Sequence, residues 1–148
     1  MEYLGTLDDK GRISLPARIR ANIEANRLIL TKGISKSIWV FLPEKWEVFS
    51  QKQIDDSAKL SLSNRIMVEH QFIAPKSEME IDKAGRIAIP PSLRDYAFLN
   101  RDCKILELVD HLEIWDLEQY KAYEKVIEKQ IMEVLEEMRP AALQSGNP

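Results

Sequence analysis

The amino-acid sequence predicts an α+β fold that is rich in short strands and is built from one module repeated twice. Three observations support this prediction. Residues 8–20 (DDKGRISLPARIR) return as residues 82–94 (DKAGRIAIPPSLR) at a constant spacing of 74 residues. Short apolar runs, several of them alternating with polar residues as half-buried strands do, flank both copies. A long stretch with apolar residues at helical spacing follows the second copy.

The composition is that of an ordinary soluble protein. The chain has 148 residues and a formal net charge of −3, with 45% hydrophobic and 30% charged residues. That length allows one domain, or two small halves that depend on each other. No apolar run approaches the roughly 18 residues of a membrane-spanning helix, and the charged N-terminal residues do not resemble a signal peptide. Cys103 is the one cysteine, so we expect no internal disulfide and a cytoplasmic location.

The common catalytic and cofactor-binding motifs are missing from the sequence. Two histidines and Cys103 provide no zinc-binding spacing, and no glycine-rich nucleotide loop or Gly-x-Ser-x-Gly nucleophile motif occurs. Chemistry on scattered carboxylates is the one catalytic class left open, and we expect no enzyme, no metal site and no cofactor. We interpret His70 as a packed histidine, His111 as a surface turn residue and Cys103 as a small hydrophobic residue.

A tight turn with the pattern Asp-x-x-Gly-Arg opens each copy. It follows short strand candidates at Leu4–Leu7 and Met79–Ile81. The carboxylates of Asp8 and Asp82 can accept backbone N–H groups inside the turn, and Gly11 and Gly85 can supply a positive φ. We therefore assign a structural role in the turn to these four residues.

The rest of each copy predicts a strand, a short helix and two further strands. Alternation after the turn places Arg12 and Arg86 on the side of the strand that faces away from the core. Pro16 and Pro90 suit the first position of a helix. The predicted elements are Arg12–Leu15, helix Ala17–Glu24, Arg27–Thr31 and Ile38–Leu42 in the first copy, and Arg86–Ile89, helix Ser92–Phe98, Lys104–Val109 and Leu112–Trp115 in the second.

The spacing of the repeat changes within the copies. The run Leu28-Ile29-Leu30 aligns best with Lys104-Ile105-Leu106, which is a spacing of 76 residues rather than 74. The predicted organisation is a first module at 2–46, a helical connector at 47–75, a second module at 76–120, a C-terminal helix at 121–139 and a frayed tail at 140–148.

The C-terminal helix carries a stripe of apolar residues that one small module cannot cover. Asp116 is its predicted N-cap, with Gln119 at the capping-box position, and the helix should end before Pro140. We expect the stripe to pack against helices of the first half or against a neighbouring subunit. Its members are Tyr120, Tyr123, Ile127, Ile131, Val134 and Met138.

Positive charge gathers at the two repeated turns although the whole chain is acidic. One interpretation is that each arginine only pairs with the aspartate of its own turn. The other is a surface for nucleic-acid phosphates, with some side chains reaching base edges in the major groove. Both interpretations remain open on the residues alone. The cations are Lys10, Arg12, Arg18 and Arg20 in the first copy, and Lys83, Arg86 and Arg94 in the second.

The duplicated DxxxR pattern at Asp8–Arg12 and Asp82–Arg86, each followed by an I-x-[LI]-P strand end, resembles the MraZ family of bacterial transcriptional regulators. The likeness extends over residues 2–46 and 76–138 and includes the run Leu112–Asp116. It implies tandem duplicated AbrB-like (SpoVT-AbrB) modules of the swapped-hairpin, double-split β-α-β type. It further implies ring-shaped homo-oligomers, association with the nucleoid, and binding to repeated promoter sites upstream of division and cell-wall genes.

The resemblance also implies which side chains face double-stranded DNA. The basic residues of the DxxxR pattern are Lys10, Arg12, Lys83 and Arg86, whereas Arg18 has the uncharged Ser92 at the corresponding position. We therefore expect a DNA-binding regulator that does not act on a small-molecule substrate. The alternative from another class is a ring-forming scaffold, or an antitoxin-like module of the same fold that binds a protein partner.

Overall fold

The computed structural model describes residues 1–24 and 26–140. Its first half contains β1 (Glu2–Thr6), β2 (Arg12–Ser14), α1 (Ala17–Arg20), β3 (Arg27–Lys32) and β4 (Ile38–Phe41). A connector follows with α2 (Pro43–Ser57), α3 (Leu62–Val68) and a π-helical turn (Glu69–Ile73). The second half contains β5 (Ser77–Glu80), β6 (Arg86–Ala88), α4 (Pro91–Tyr96), β7 (Asp102–Glu107) and β8 (Leu112–Asp116), before the long helix α5 (Leu117–Glu137).

The prediction of an α+β chain with two similar halves and a long C-terminal helix is confirmed. Helix α5 has Asp116 as its N-cap, whose carboxylate accepts the N–H of Gln119, and it ends before Pro140 as expected. The first short helix is four residues shorter than predicted, because the N–H groups of Asn22 and Ile23 bond three residues back and end it. Of the predicted frayed tail, all but Pro140 lies outside the described residues.

The strands of the two halves are interleaved in one antiparallel sheet. The order is β1-β7-β8-β4-β3-β5, so β1 pairs with a strand of the second half and β5 pairs with a strand of the first. The remaining strands, β2 and β6, pair with each other as a separate two-stranded ribbon. Neither half therefore has a complete set of backbone hydrogen-bond partners of its own.

Strand register relates the two halves by a pseudo-two-fold axis. Ile13 pairs with its own counterpart Ile87 in the ribbon. In the sheet, Tyr3 pairs with Ile105, and the counterpart of Tyr3, Ser77, pairs with Leu30. Leu30 and Ile105 are therefore equivalent at a spacing of 75 residues, and the predicted spacing of 76 is wrong. The second copy has one extra residue between its short helix and its third strand, which accounts for the change from 74.

The hydrophobic core lies between the sheet and the ribbon, and both halves contribute equally to it. Ile13 and Ile87 are completely buried beneath the ribbon. Full burial of one such side chain is worth about 1.5–3 kcal/mol, so either half alone would leave a large apolar surface in water. The core residues are Leu7, Ile13, Leu15, Ile19, Leu28, Leu30, Ile38 and Val40 with Ile81, Ile87, Ile89, Leu93, Ala97, Cys103, Ile105 and Ile114.

The other face of the sheet is covered by α2 and by the start of α5. Trp46 of α2 packs on Phe41, and Tyr123 of α5 stacks on Trp115 at 5.0 Å between ring centroids. Beyond Tyr123 the apolar stripe of α5 is exposed, up to 76% at Met138, so the first half does not cover it. Among the described helices, α5 included, none has the length and apolar character that crossing a bilayer requires.

One carbonyl in the β3–β4 hairpin loop, that of Gly33, accepts hydrogen bonds from both the connector and the second half. The oxygen of Gly33 accepts the Tyr96 hydroxyl at 2.6 Å and the Gln71 side-chain amide at 2.9 Å. The Trp39 indole lies directly over the α-carbon of Gly33, so this position has no room for a side chain.

We predict that Gly33→Ala destabilises the chain by about 1–3 kcal/mol, the usual range for overpacking a filled site. The added methyl group would overlap the Trp39 indole and lie 2.6 Å from the Ser37 hydroxyl. Urea denaturation followed by tryptophan fluorescence measures the effect. Gly5→Ala is the matched control, because the nearest atom to its methyl group would be the end of the Ile13 side chain at 3.1 Å, a much milder contact than at Gly33. Equal losses for the two variants would contradict the prediction.

Candidate functional site

The Asp8–Arg12 turn is held by its own aspartate. The Asp8 carbonyl accepts the N–H of Gly11 at 3.0 Å, and Oδ1 of the same residue accepts the N–H groups of Lys10 and Arg12 at 2.9 Å each. Gly11 has a φ of +75°, a conformation that glycine adopts without strain. The local sequence thus determines the shape of the turn, and the turn-structural roles predicted for Asp8 and Gly11 match this geometry.

The Asp82–Arg86 turn repeats this geometry. Oδ1 of Asp82 accepts the N–H groups of Ala84 and Arg86 at 2.9 Å, and Gly85 has a φ of +79°. The backbone N–H of the turn arginine is the main cause that lowers the pKa of Asp8 and of Asp82. Both carboxylates therefore stay ionised at neutral pH, and their support of the turns is lost only as pH falls below the ordinary carboxyl range.

Each turn arginine is anchored at one end and open at the other. Nε of Arg12 donates to Oδ2 of Asp8 at 2.8 Å, and Nε of Arg86 donates to Oδ2 of Asp82 at the same distance. The terminal nitrogens of both guanidinium groups donate no hydrogen bond within the described part of the chain, and both side chains are about one-third exposed. The aspartate thus orients the arginine and leaves its two terminal nitrogens available.

The ribbon places both turn arginines on one surface. Arg12 pairs across the ribbon with Ala88, and Arg86 pairs with Ser14. These four residues alternate with the buried Ile13 and Ile87, so they share the outward face. Arg12 and Arg86 are diagonal neighbours on that face, and the α-carbons of diagonal neighbours are about 7–8 Å apart.

Each turn is backed by an arginine from the other half of the chain. The guanidinium of Arg94 lies over Gly11, where a β-carbon would be 2.7 Å from Cζ, and Arg20 lies over Gly85 in the same way, at 2.6 Å. Backbone bonds fix this arrangement, since the Ile89 N–H donates to the Gly11 carbonyl at 2.9 Å. A β-carbon at either glycine would displace the facing arginine side chain in addition to straining the positive φ, a contact that the linear sequence does not reveal.

Six of the seven predicted cations thus form two groups of three, which we call the cation trios. The first trio is Lys10, Arg12 and Arg94, and the second is Lys83, Arg86 and Arg20. Proximity in the sequence predicts that Arg20 lies with the first turn and Arg94 with the second. In the structure each of these arginines packs on the turn of the other half instead. The two lysines are exposed and occupy different positions in their turns, since Lys83 corresponds to Asp9.

Arg18 lies apart from both trios. Two residues along an α-helix turn a side chain by about 200°, so Arg18 and Arg20 leave α1 on different sides. Nη1 of Arg18 lies 2.8 Å from the Met1 sulfur. Its predicted role toward DNA stays a prediction.

The remaining candidate residues do not form a site. His70 is exposed, so its interpretation as a packed histidine is wrong. His111 lies in the β7–β8 hairpin loop as predicted, but its side chain is only 16% exposed, so its interpretation as a surface residue is wrong. Its Nε2 lies 3.1 Å from Oε2 of Glu113, whose other oxygen accepts the Trp115 indole N–H at 2.8 Å. Cys103 is a buried core residue as predicted, and burial raises the pKa of its thiol to about 11. In the residues that the structure covers, no three His, Cys, Asp or Glu side chains could hold a metal ion.

The model of a known protein family matches both halves of the chain. The model of a family described as "MraZ protein", with an antitoxin-like character, matches residues 2–67 and 72–139. Transcriptional regulator MraZ of Treponema denticola is 44% identical over 135 residues, covering 91% of this chain and 93% of that relative. The protein of the same name from Treponema pallidum is 47% identical over 121 residues, which are 82% of this chain and 80% of that protein.

A distant relative extends the likeness over almost the whole chain. Transcriptional regulator MraZ of Thermobifida fusca is 36% identical over 145 residues, covering 95% of this chain and 99% of its own length. Members of this family are transcriptional regulators and not enzymes. The family model matches both halves, and the relatives are this similar over most of their length. The chain therefore belongs to the MraZ family.

Proposed function

We propose that this chain is a DNA-binding transcriptional regulator and that the outward face of the ribbon contacts double-stranded DNA. The observation that carries this proposal is the gathering of the cation trios on a chain of net charge −3. Because the chain has more acidic than basic residues, cations scattered over its surface would lie among acidic side chains. Here the only acid within either turn besides the anchoring aspartates is Asp9.

The ribbon has the right shape for the major groove. A two-stranded antiparallel ribbon fits that groove, and an arginine fork can bind guanine O6 and N7 or a phosphate through two parallel hydrogen bonds. Because Asp8 and Asp82 already hold Nε, less side-chain freedom is lost when the terminal nitrogens of Arg12 and Arg86 bind. The lysines and the backing arginines Arg20 and Arg94 would supply phosphate contacts.

We infer that the fold is the AbrB-like swapped hairpin, with modules at 2–46 and 76–120, a connector at 47–75 and a terminal helix from 121. The exchange of β1 and β5 between the halves supports this inference. From the family resemblance we further propose repeated promoter elements upstream of division and cell-wall genes as targets. A cytoplasmic protein bound to the nucleoid follows from such targets.

We also propose that copies of the chain assemble into a ring. The exposed stripe of α5 beyond Tyr123 supports an interface with a neighbouring subunit, because a helix with this much apolar surface seldom stays uncovered. The same stripe is the observation that favours the alternative, a scaffold or antitoxin-like module that binds a protein. A protein-binding module, however, would not need two equivalent cation trios.

We predict that Arg12→Ala and Arg86→Ala each weaken binding of a promoter fragment by about 1–3 kcal/mol if the side chain reaches a base edge. Folding should be little affected, because each removes a partly exposed ion pair. Arg12→Lys separates the two kinds of contact, since it keeps the charge but loses the fork. Titration at fixed salt, followed by fluorescence anisotropy, measures all three variants.

Arg18→Ala is the matched control for these substitutions. It removes an arginine of the same half that lies outside both trios, so it should change the affinity less than Arg12→Ala does. A double variant of Arg12 and Arg86 that binds at wild-type strength would show that the ribbon face does not contact DNA.

We predict that a DNA fragment with one repeat binds weakly, whereas two or three repeats at the native spacing bind far more strongly. Three cations per turn make few phosphate contacts, so affinity must come from several modules bound at once. Linkage of this kind raises affinity by roughly 10²–10⁴. A half-turn change in spacing should remove most of the gain, because the second module would face the wrong side of the duplex. Equal affinities across the series would mean that each module binds alone.

A further inference from the structure

An open apolar cleft lies between α1 and the β7–β8 hairpin. Its volume is about 130 Å³, close to the roughly 150 Å³ of a protein cavity that binds benzene. Val109 at the tip of the hairpin is 95% exposed, and its neighbour Leu108 is also exposed. We call this feature the hairpin cleft. Its apolar lining includes Ile19, Ile23, Leu28, Leu108 and Val109, with Asn22 among the polar residues.

The pseudo-symmetric position in the other half has an aromatic side chain. Asn22 corresponds to Tyr96, and Leu108 corresponds to Gly33. Tyr96 reaches across to the facing hairpin: its hydroxyl donates to the Gly33 carbonyl at 2.6 Å, and the Lys36 ammonium lies 4.6 Å from the ring centre. Where the first half has Asn22 at an open cleft, the second half thus has an aromatic side chain that bridges the short helix and the facing hairpin.

Among the described residues, one aromatic side chain is more than half exposed. Phe98 is 56% exposed, and among the described residues no other Phe, Tyr or Trp belongs to the exposed class. It follows α4 at a position where helices commonly end with glycine, and its φ is +55°. A bulky residue in this conformation costs free energy, and such strain is concentrated at functional positions.

We propose that the hairpin cleft binds Phe98 of a second copy of the chain. The volume of the cleft is close to that of a cavity that binds benzene, and in the other half an aromatic side chain, Tyr96, bridges the corresponding helix and hairpin. The cleft and Phe98 are different surfaces of one chain, so each copy can offer Phe98 to one neighbour and its cleft to another. Contacts of this type close into rings when the rotation permits. This inference rests on the self-assembly included in the proposed function and identifies one contact between subunits besides the apolar stripe of α5.

Two substitutions test the two sides of this contact without threatening the fold. Phe98→Gly removes the ring and relieves the positive φ, so the melting temperature should stay the same or rise. Asn22→Tyr should close the cleft from within, because it places an aromatic side chain where the other half has Tyr96, and Asn22→Ala is its matched control. Both Phe98→Gly and Asn22→Tyr should raise the concentration of half-assembly at least about tenfold, as expected when a buried aromatic anchor is lost. Light scattering without DNA provides the measurement.

Mixing the two variants tests whether Phe98 of one copy meets the cleft of another. Phe98→Gly keeps the cleft, and Asn22→Tyr keeps Phe98, so an equimolar mixture should form mixed pairs that native mass spectrometry detects. If Phe98→Gly assembles like the wild type while Asn22→Tyr does not, something other than Phe98 occupies the cleft. That result would overturn the proposal. Normal assembly by both, or a monomeric wild type, would overturn it too. Because binding of one DNA repeat should be unchanged in both variants, a failure of the assembly proposal is distinguishable from a failure of DNA binding.

Discussion

The exchange of strands between the two halves is the constraint on which the rest of the structure depends. Strand β1 finds its hydrogen-bond partner in β7, and β5 finds its partner in β3. The ribbon consists of one strand from each half, and the core beneath it draws equally on both. Since unpaired strands and a half-open core are costly in water, the halves must fold together.

This exchange also makes the candidate site a composite one. A turn built by its own aspartate and glycine is completed by an arginine of the other half, which lies against that glycine. Covalent linkage of the two halves ensures that both trios form whenever the chain is folded. An acidic protein can in this way present positive charge at one surface, and its affinity for nucleic acid would depend strongly on salt and on the number of copies bound together.

The two copies have similar residues where the exchange of strands places them in equivalent contacts, and they differ elsewhere. Core positions such as Ile13 and Ile87 meet at the pseudo-two-fold axis, so a change in one copy affects both. The outer face of the sheet carries no such requirement: α2 covers it in the first half and α5 in the second. Asn22 and Tyr96 show the same freedom: Asn22 lines an open cleft, whereas the Tyr96 hydroxyl bonds to the facing hairpin.

Sequence patterns by themselves determined the elements that depend on near neighbours. Both turns form as predicted because Asp8 and Asp82 bond to groups no more than four residues away, and α5 begins at its N-cap for the same reason. The duplication likewise predicted two similar halves, and the outward position of Arg12 and Arg86 followed from strand alternation.

Only the tertiary structure decided which distant groups meet. The pairing of Tyr3 with Ile105 joins residues about a hundred positions apart, and one extra residue in the second copy changes its register without a local signal. The arrangement of Arg94 over Gly11, the separation of Arg18 from both trios and the exposure of His70 depend in the same way on how the halves pack. Hydrogen bonds within a turn are encoded by adjacent residues, whereas packing between halves depends on surfaces that exist only after both have folded.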